Sequence, residues 1–329
     1  MFYLVFIFGM IAGSFLNVVI YRLNPALKLK GGVFGRSMCP NCKTQLKWYD
    51  LVPVLSFFWL KRRCRYCHKK ISRQYPIVEI LSGLIWVLVF WKVFGFNFSP
   101  FGGSPVGGQF FSLREIWQSQ TIYNFQSIFN LQFLNQLNLL NFFYYILIFS
   151  VLLVIAVYDF KWKIIPDKIV YPAIIVVFLY NVFNFLKYFN FEISKYFQPA
   201  ADPPLAENFE ILKYINIEIF IYPLFTAIIA FFFFFLIYYF SSGRAMGLGD
   251  AKLAFLIGLF LSPISAVAAF TLAFVIGAIF GIILLVLGKI FPYYKKWEMK
   301  SQIAFGPFLV LGAFIAFFFS DFIFKLFQP

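Results

Sequence analysis

Long apolar segments dominate this sequence, and they restrict the fold more than any other feature. A helix needs about 20 predominantly apolar residues to cross a hydrocarbon core of about 30 Å. Seven segments reach this length, and an eighth that ends at Pro263 is marginal. They comprise residues 2–21, 76–95, 140–158, 169–187, 218–240, 251–263, 265–288 and 303–324. The sequence therefore predicts an all-α polytopic membrane protein with about eight transmembrane helices.

The composition supports this interpretation. Hydrophobic residues make up 62% of the 329 residues and charged residues only 12%, whereas a soluble domain is about half apolar and a quarter charged. The segment 2–21 lacks the basic start and the small-residue cleavage site of a signal peptide. We therefore expect that it is retained as the first transmembrane helix.

Positive charge is concentrated between the first two apolar segments. Residues 22–75 carry thirteen Lys and Arg residues and one acid, Asp50. Such charge is also common in nucleic-acid-binding proteins, but between two spans it is typical of a loop that stays in the cytoplasm. The partners predicted from composition are thus a lipid bilayer and no nucleic acid. With eight spans, both termini lie outside and the basic loop lies inside.

This topology divides the chain into helices and loops. A first helix and a second helix flank the basic cytosolic loop, and a six-helix region follows an external loop that has no clear period. The boundaries are 1–22 for the first helix, 23–75 for the cytosolic loop, 76–95 for the second helix, 96–139 for the external loop and 140–329 for the six-helix region, with a further external loop at 190–217.

All four cysteines of the chain lie in the cytosolic loop, as Cys39-Pro-Asn-Cys42 and Cys64-Arg-Tyr-Cys67. Two turns that each present two thiolates suit a tetrahedral structural zinc site. Two disulfides or four free thiols are the alternatives, and a reducing compartment disfavours the disulfides. The single histidine, His68, is adjacent to Cys67, and we interpret it as a solvated loop residue rather than a spare ligand.

Two aspartates are predicted at the cytosolic edge of the membrane. Asp159 ends the third span and Asp250 opens a later one within Gly247-Leu-Gly249-Asp250. Carboxylates at a membrane are costly and therefore functional candidates. If they meet, the pair shares one proton, so that one member can activate water while the other polarises a peptide carbonyl. This pattern predicts acid–base hydrolysis without a covalent intermediate.

Simpler explanations apply to each of these acids. An aspartate at a helix end often caps the helix or pairs with a nearby lysine, here Lys161, Lys163 or Lys252. A third aspartate, Asp167, follows Pro166 at a predicted helix start, where capping explains it. Because the chain has one histidine, which lies in the cysteine loop, nucleophilic catalysis that depends on histidine is disfavoured.

Six ordered sequence blocks resemble the type IV prepilin peptidases, which are membrane aspartic proteases with a GxGD motif. The resemblance extends over nearly the whole chain. The blocks are Gly13-Ser-Phe-Leu-Asn17-Val-Val-Ile-Tyr-Arg22-Leu, the paired CxxC loop, Tyr75-Pro76-Ile-Val-Glu79-Ile-Leu-Ser-Gly83, Asp159 with Ile165-Pro166, Gly247-Leu-Gly249-Asp250-Ala-Lys252-Leu and Phe305-Gly306-Pro307-Phe308.

The resemblance implies that Asp159 and Asp250 are the catalytic pair. It implies removal of short basic leaders from type IV prepilin or pseudopilin precursors at the cytosolic face of the bacterial inner membrane. For members with the cysteine loop it also implies N-methylation of the new N-terminal residue with S-adenosylmethionine as the methyl donor.

Four residues lie in blocks that the resemblance links with the methyltransferase activity or with support of the loop. They are Gly13, Asn17, Arg22 and Glu79. Glu79 near the start of a span needs a partner, which Arg22 could supply; such a pair could equally tie the first two spans together. Gly9, Gly13 and Asn17 recur at a spacing of four, which favours tight helix packing with one polar link over a cofactor site.

Two other functions fit part of the sequence. A presenilin-like intramembrane protease would use the same aspartates but has no place for the zinc loop. A proton-coupled transporter would place its carboxylates near the middle of a span rather than at its edge. The sequence leaves open which pilin, pseudopilin or competence pilin is cleaved, and it does not indicate the oligomeric state.

Overall fold

A computed structural model of the chain describes residues 1–23, 36–94, 125–196, 218–290, 304–320 and 322. Within these residues the regular structure is helical, and the only β-type pairs are two isolated bridges, Met38 with Gln45 and Arg63 with Lys70. This confirms the predicted all-α class.

Nine α-helices follow one another along the described chain. They are α1 (Phe2–Arg22), α2 (Leu55–Trp59), α3 (Gln74–Phe94), α4 (Phe125–Trp162), α5 (Asp167–Tyr196), α6 (Glu218–Ser241), α7 (Leu248–Phe260), α8 (Pro263–Ile290) and α9 (Gly306–Phe318). A short 3-10 helix, Trp48–Asp50, precedes α2.

Six of these helices are long and apolar enough to cross a membrane. They are Phe2–Arg22, Gln74–Phe94, Asn138–Trp162, Asp167–Lys187, Phe220–Ser241 and Pro263–Leu287. The two other predicted spans correspond to α7 and α9, which have only 13 residues each. At 1.5 Å per residue such a helix is about 20 Å long, so the total of eight spans stays a prediction.

The chain forms two compact units. The first contains residues 1–17 and 35–150, and the second contains residues 18–34 and 151–329. The boundaries between the units fall inside α1 and α4, so each of these helices contributes to both units.

The first unit is built on close contact between α1 and α3. A Cβ atom added to Gly9 would lie 2.8 Å from the Cα of Gly83, and one added to Gly13 would lie 2.8 Å from the Cα of Glu79. Small residues let two helix backbones approach, which is how apolar helices associate where lipid removes the hydrophobic driving force.

The second unit surrounds α7. Residues on every side of this helix are buried, including Leu253, Leu256, Ile257 and Leu259. A helix that is apolar all round is a core helix, and α7 packs against α5, α6, α8 and α9. Because protein rather than lipid surrounds α7, its length need not match the bilayer.

Two helices extend into segments that we predicted to be loops. Helix α4 begins at Phe125, within the predicted loop 96–139, and α5 continues to Tyr196, beyond the predicted loop start at residue 190. Apolar residues at 125, 128, 129, 131, 133, 134 and 137 follow a helical spacing, which Asn and Gln residues between them obscure. The other residues of both predicted loops lie outside the described residues.

Candidate aspartate site and metal centre

Asp159 lies one turn before the C-terminal end of α4, and it is only 4% exposed. Its Oδ2 atom accepts a hydrogen bond from the backbone N–H of Gly306 at 3.0 Å. Gly306 is the first residue of α9, and the free N–H groups of a helix N-terminus stabilise negative charge. The Asp159 carboxylate thereby connects the C-terminal end of α4 to the N-terminal end of α9.

Asp250 lies in the first turn of the central helix α7, and it is 8% exposed. Its Oδ2 atom accepts the N–H of Gly247 at 3.0 Å. This bond is the helix cap that we considered as an alternative to catalysis. Since it engages one carboxylate oxygen, capping does not exclude a catalytic role.

The two carboxylates act on each other although they are 91 positions apart in the sequence (250 − 159). Burial is the main cause that raises the pKa of Asp250, the Gly247 N–H opposes the rise, and the nearby charge of Asp159 adds to it, so that the pKa is about 7. Asp250 precedes the apolar stretch 251–263 and lies outside the six long spans. A pair of this kind holds one proton near neutral pH.

Two of the three predicted lysine partners, Lys252 and Lys161, contact groups other than the two buried aspartates. Lys252 donates to Oδ1 of Asp167 at 2.7 Å and lies 5.1 Å from the centre of the Tyr171 ring. Lys161 lies over the Trp162 ring at 4.5 Å. Asp167, the first residue of α5, therefore forms an exposed ion pair, whereas the other two aspartates are buried.

Tyr158, Phe305 and Gly306 lie next to Asp159 in the chain or in space, and none of them was singled out as a site residue from the sequence. The hydroxyl of Tyr158 donates to the backbone carbonyl of Leu23 at 2.9 Å, which fixes the helix end that carries Asp159. The ring of Phe305 packs against that of Phe274 at 5.1 Å, next to Gly306. The final sequence block drew attention to this segment but could not show that it meets Asp159.

The two glycines of the GxGD motif have different surroundings. A Cβ atom at Gly249 would lie 2.9 Å from the Cβ of Ile165, whereas one at Gly247 would make ordinary contacts, at 3.6 Å with Oδ2 of Asp250 and at 3.9 Å with the backbone N of Gly249. Gly249 thus lets the segment that joins α4 and α5 contact the start of α7.

We predict that Gly249→Ala lowers activity strongly and that Gly247→Ala is tolerated. The Cβ of Ile165 cannot rotate away from an added methyl group, so the backbone must shift, and overpacking of this kind costs about 1–3 kcal/mol. The φ angle of Gly247 is −85°, which suits any residue. Cleavage rates and unfolding temperatures of both variants test this; equal losses in the two would contradict it.

The four cysteine sulfurs form one cluster in the first unit. They all lie within 4.8 Å of one another, and Cys39 Sγ is 3.9 Å from Cys67 Sγ. Four thiolates around a tetrahedral ion at 2.3 Å are separated by about 3.8 Å. All four cysteines are free rather than paired in disulfides. The cluster therefore has the geometry of a metal site.

The two CxxC turns have the same backbone construction. The N–H of Lys43 donates to the carbonyl of Cys39, and the N–H of His68 donates to that of Cys64, at 2.9 and 3.0 Å. Both donors have positive φ angles, 57° and 56°. His68 is exposed and is not part of the cluster, as we predicted.

The thiols of the metal-free cluster differ in acidity. Burial raises the pKa of Cys39 to about 11, whereas hydrogen bonds from Thr44 lower the pKa of Cys42 to about 6. A metal ion binds thiolates and so favours deprotonation of all four. The donor set fits a divalent ion that accepts soft ligands.

Asp50 connects the two halves of the cysteine loop. It is 9% exposed, and its side chain pairs with Arg65 at 2.9 Å and accepts hydrogen bonds from the Tyr66 hydroxyl and the Lys47 N–H, both at 3.2 Å. The single acid of the loop is therefore a structural link to the second CxxC turn.

Three of the residues that the resemblance links with methyl transfer or with support of the loop contact other parts of the chain. Oε2 of Glu79 accepts the N–H of Val54 at 2.7 Å, and Nδ2 of Asn17 donates to the Tyr75 carbonyl at 3.0 Å. Gly13 is packed against α3. Glu79 therefore has a partner within its own unit, and the predicted pair with Arg22 stays a prediction.

Sequence comparisons match both parts of the chain. A sequence profile of the bacterial peptidase A24 N-terminal domain matches residues 7–93, and one of the type IV leader peptidase family matches residues 206–282. The first match contains the four cysteines and Glu79, and the second contains Asp250. No solved structure was found to match the chain.

Several similar proteins carry the name prepilin leader peptidase/N-methyltransferase. The protein of Aeromonas salmonicida is 24% identical over 97% of this chain and 91% of its own length. That of Vibrio cholerae is 46% identical over 26% of this chain and 36% of its own length, and that of Neisseria gonorrhoeae is 30% identical over 30% and 41%. The two relatives with the higher sequence identity are thus matched over less than half of their own length.

The matches and the structure agree in their order along the chain. The cysteine loop lies between the first two long apolar helices, and the glycine-rich turn with a buried aspartate lies in the second match. On these grounds, the chain is similar to the type IV leader peptidase family, with the N-terminal domain matched over residues 7–93 and the peptidase part over residues 206–282.

Proposed function

We propose that this protein is a membrane aspartic endopeptidase that removes the short basic leader from type IV prepilin or pseudopilin precursors. The observation that carries the proposal is the buried pair Asp159 and Asp250, each held by one backbone N–H at 3.0 Å. The family match and the names of the similar proteins support the choice of substrate. The matches do not favour the two alternatives, a presenilin-like protease and a transporter.

The chemistry assigned to the pair is general acid–base hydrolysis. Asp250, whose pKa is raised, holds the shared proton and donates a hydrogen bond to the scissile carbonyl oxygen. Ionised Asp159 takes a proton from water as its oxygen attacks the carbonyl carbon. When the tetrahedral intermediate collapses, the amine leaves with a proton from Asp159. Each aspartate then returns to its starting state, and no covalent bond to the protein forms.

Methyl transfer from S-adenosylmethionine to the new N-terminal residue is a second proposed activity. It rests on the names of the similar proteins and on the presence of the cysteine loop. Gly13, Asn17, Arg22 and Glu79 stay candidates for the donor site or for support of the loop, and the close packing of Gly13 and the hydrogen bond between Glu79 and Val54 favour support of the loop. We propose that these residues support the loop, and we assign no step of methyl transfer to them.

The metal of the cysteine cluster is proposed to be zinc with a structural role. Four protein ligands leave no open position for water or substrate. Cys39, Cys42, Cys64 and Cys67 would hold the ion and join two turns that have little apolar core between them. The loop then depends on the metal for its order.

Removing the metal should expose the loop to proteolysis. We expect that a chelator, or Cys39→Ser together with Cys64→Ser, releases bound zinc and speeds tryptic cleavage after Lys61 and Arg62. His68→Asn is the matched control, because asparagine tolerates the positive φ angle at this position. Metal content and limited proteolysis measure the effect; unchanged cleavage without metal would disprove a structural role.

The proposed location is the bacterial cytoplasmic membrane, with the aspartate pair and the cysteine loop on the cytosolic side and both termini outside. Six long apolar helices support insertion in a membrane. The basic residues 22–75 support the orientation, since short loops rich in Lys and Arg stay inside. Labelling of introduced surface residues in intact cells tests the sidedness.

The proposed function is tested with the purified full chain in detergent or nanodiscs. The substrate is a prepilin with a basic leader, glycine before the cut and phenylalanine after it. We expect the leader to be removed after the glycine, and the product to gain one methyl group only when S-adenosylmethionine is present. Mass spectrometry of the product distinguishes the activities: an intact leader contradicts the peptidase, and cleavage without methylation contradicts only the second activity.

A further inference from the structure

The cysteine loop carries an apolar surface that its own fold does not cover. Helix α2 buries one aromatic residue, Phe57, which is 7% exposed. On its other side Leu55, Phe58 and Trp59 are 59%, 64% and 82% exposed. Their spacing of three and four places them on one face of the helix. We call these three residues the α2 apolar face.

Basic residues directly follow this face. Lys61, Arg62 and Arg63 are all exposed, and the guanidinium of Arg62 lies 6.0 Å from the centre of the Phe57 ring. The turn is fixed by hydrogen bonds from the Arg62 N–H to the Phe57 carbonyl, at 3.0 Å, and from the Ile71 N–H to the Arg62 carbonyl, at 2.8 Å. The apolar face and the positive charges therefore keep a constant arrangement.

The start of α2 is attached to a membrane-spanning helix. The N–H of Val54, the residue before α2, donates to Glu79 at 2.7 Å. Val54 has a positive φ angle of 61°, and the Leu55 N–H turns back to the Pro53 carbonyl. Such a tight turn at a β-branched residue is strained, and the Glu79 carboxylate holds it in place.

This attachment fixes the depth of α2 relative to the bilayer. Helix α3 spans Gln74–Phe94, and its 21 residues match the thickness of a hydrocarbon core. Glu79 is the sixth residue of α3, so it lies about 8 Å from the start of that helix at 1.5 Å per residue. Helix α2 therefore begins within about 8 Å of the edge of that core, which is the depth at which interfacial helices bury their apolar face.

We propose that the α2 apolar face is a membrane anchor that rests in the boundary between lipid headgroups and acyl chains, with Lys61, Arg62 and Arg63 binding anionic headgroups. Tryptophan prefers this boundary, helices that lie in it carry Trp, Phe and Leu on their apolar face, and basic residues beside them add attraction to anionic lipids. The partner that we assign to the α2 apolar face is the surface of the surrounding bilayer, because the hydrogen bond to Glu79 holds the start of α2 against a membrane-spanning helix.

Trp59 provides the test, with the full chain in nanodiscs and no substrate present. The Trp59 signal is the fluorescence of the unchanged protein minus that of Trp59→Phe, a change that the exposed position tolerates. We expect lipids brominated near the headgroup to quench this signal more than lipids brominated near the chain end. Acrylamide in the water should quench it only weakly. The corresponding Trp91→Phe difference, for a tryptophan within α3, is the positive control for lipid quenching.

The charges are tested with the combined variant Lys61→Gln, Arg62→Gln and Arg63→Gln. In discs with anionic lipid, quenching of Trp59 by brominated lipid should exceed that in zwitterionic discs, and the variant should lose this difference while it retains its metal. Two results would overturn the anchor. Quenching by acrylamide but not by brominated lipid would place Trp59 in water, and protection from both quenchers would place it against protein, such as a second copy of the chain.

Discussion

Replacing Asp159 or Asp250 by asparagine is expected to lower the rate of prepilin cleavage by about 10³-fold or more. Asparagine keeps the size of the side chain and an oxygen that can accept the N–H of Gly306 or Gly247. It cannot take a proton from water or exchange one with the substrate. The loss should therefore appear in kcat rather than in substrate binding, as measured with a purified prepilin under single-turnover conditions.

Asp167→Asn is the matched control for both variants. Asp167 is also at the start of a helix, but its side chain is 56% exposed and its partner is Lys252. An exposed ion pair contributes at most about 1 kcal/mol, so this variant should retain nearly the activity of the unchanged protein. If Asp167→Asn lost activity and Asp159→Asn did not, the pair would have been assigned to the wrong residues.

The stability of the same variants separates catalysis from folding. A carboxylate that is buried beside another is costly to the fold, and replacing it by a neutral amide removes that cost. We expect unfolding temperatures equal to or above that of the unchanged protein. Inactive variants that are at least as stable would show that the aspartates are kept for chemistry.

The sequence was sufficient to predict features that depend on local spacing. The CxxC pairs predicted a four-thiolate cluster, and the sulfurs lie within 4.8 Å of one another. Apolar length predicted the positions of six long helices. The spacing of Gly9, Gly13 and Asn17 predicted close packing with one polar link, and Asn17 makes that link to the Tyr75 carbonyl.

Features that depend on tertiary contacts could not be predicted in this way. The burial of the segment 251–263 was one of these features, because a helix in a protein core and one in lipid have similar compositions. Neighbouring helices decide the difference, and they bury α7 on all sides. The partner of Glu79 could not be predicted either, because the sequence does not indicate which backbone N–H, here that of Val54, a carboxylate binds.

The contact between Gly306 and Asp159 yields the second large expected effect. A Cβ atom added to Gly306 would lie 2.6 Å from Oδ2 of Asp159, and the next nearest atoms, 3.2 and 3.4 Å away, belong to the same side chain. The clash is thus relieved when the carboxyl group rotates, and the backbone can stay in place. Gly306→Ala should therefore displace a catalytic carboxylate while leaving the fold largely intact.

We expect Gly306→Ala to lower kcat on the order of 100-fold, because a shift of about 1 Å in a catalytic group has effects of this size. Gly281→Ala in α8 is the control, since an added Cβ meets no atom within 4 Å there. The control should keep full activity and the same or a slightly higher unfolding temperature. Equal activity in Gly306→Ala and Gly281→Ala would show that the N-terminus of α9 does not position Asp159. If Gly306→Ala unfolds the protein and Gly281→Ala does not, the Asp159 side chain cannot rotate away from the added methyl group and is itself a rigid part of the site.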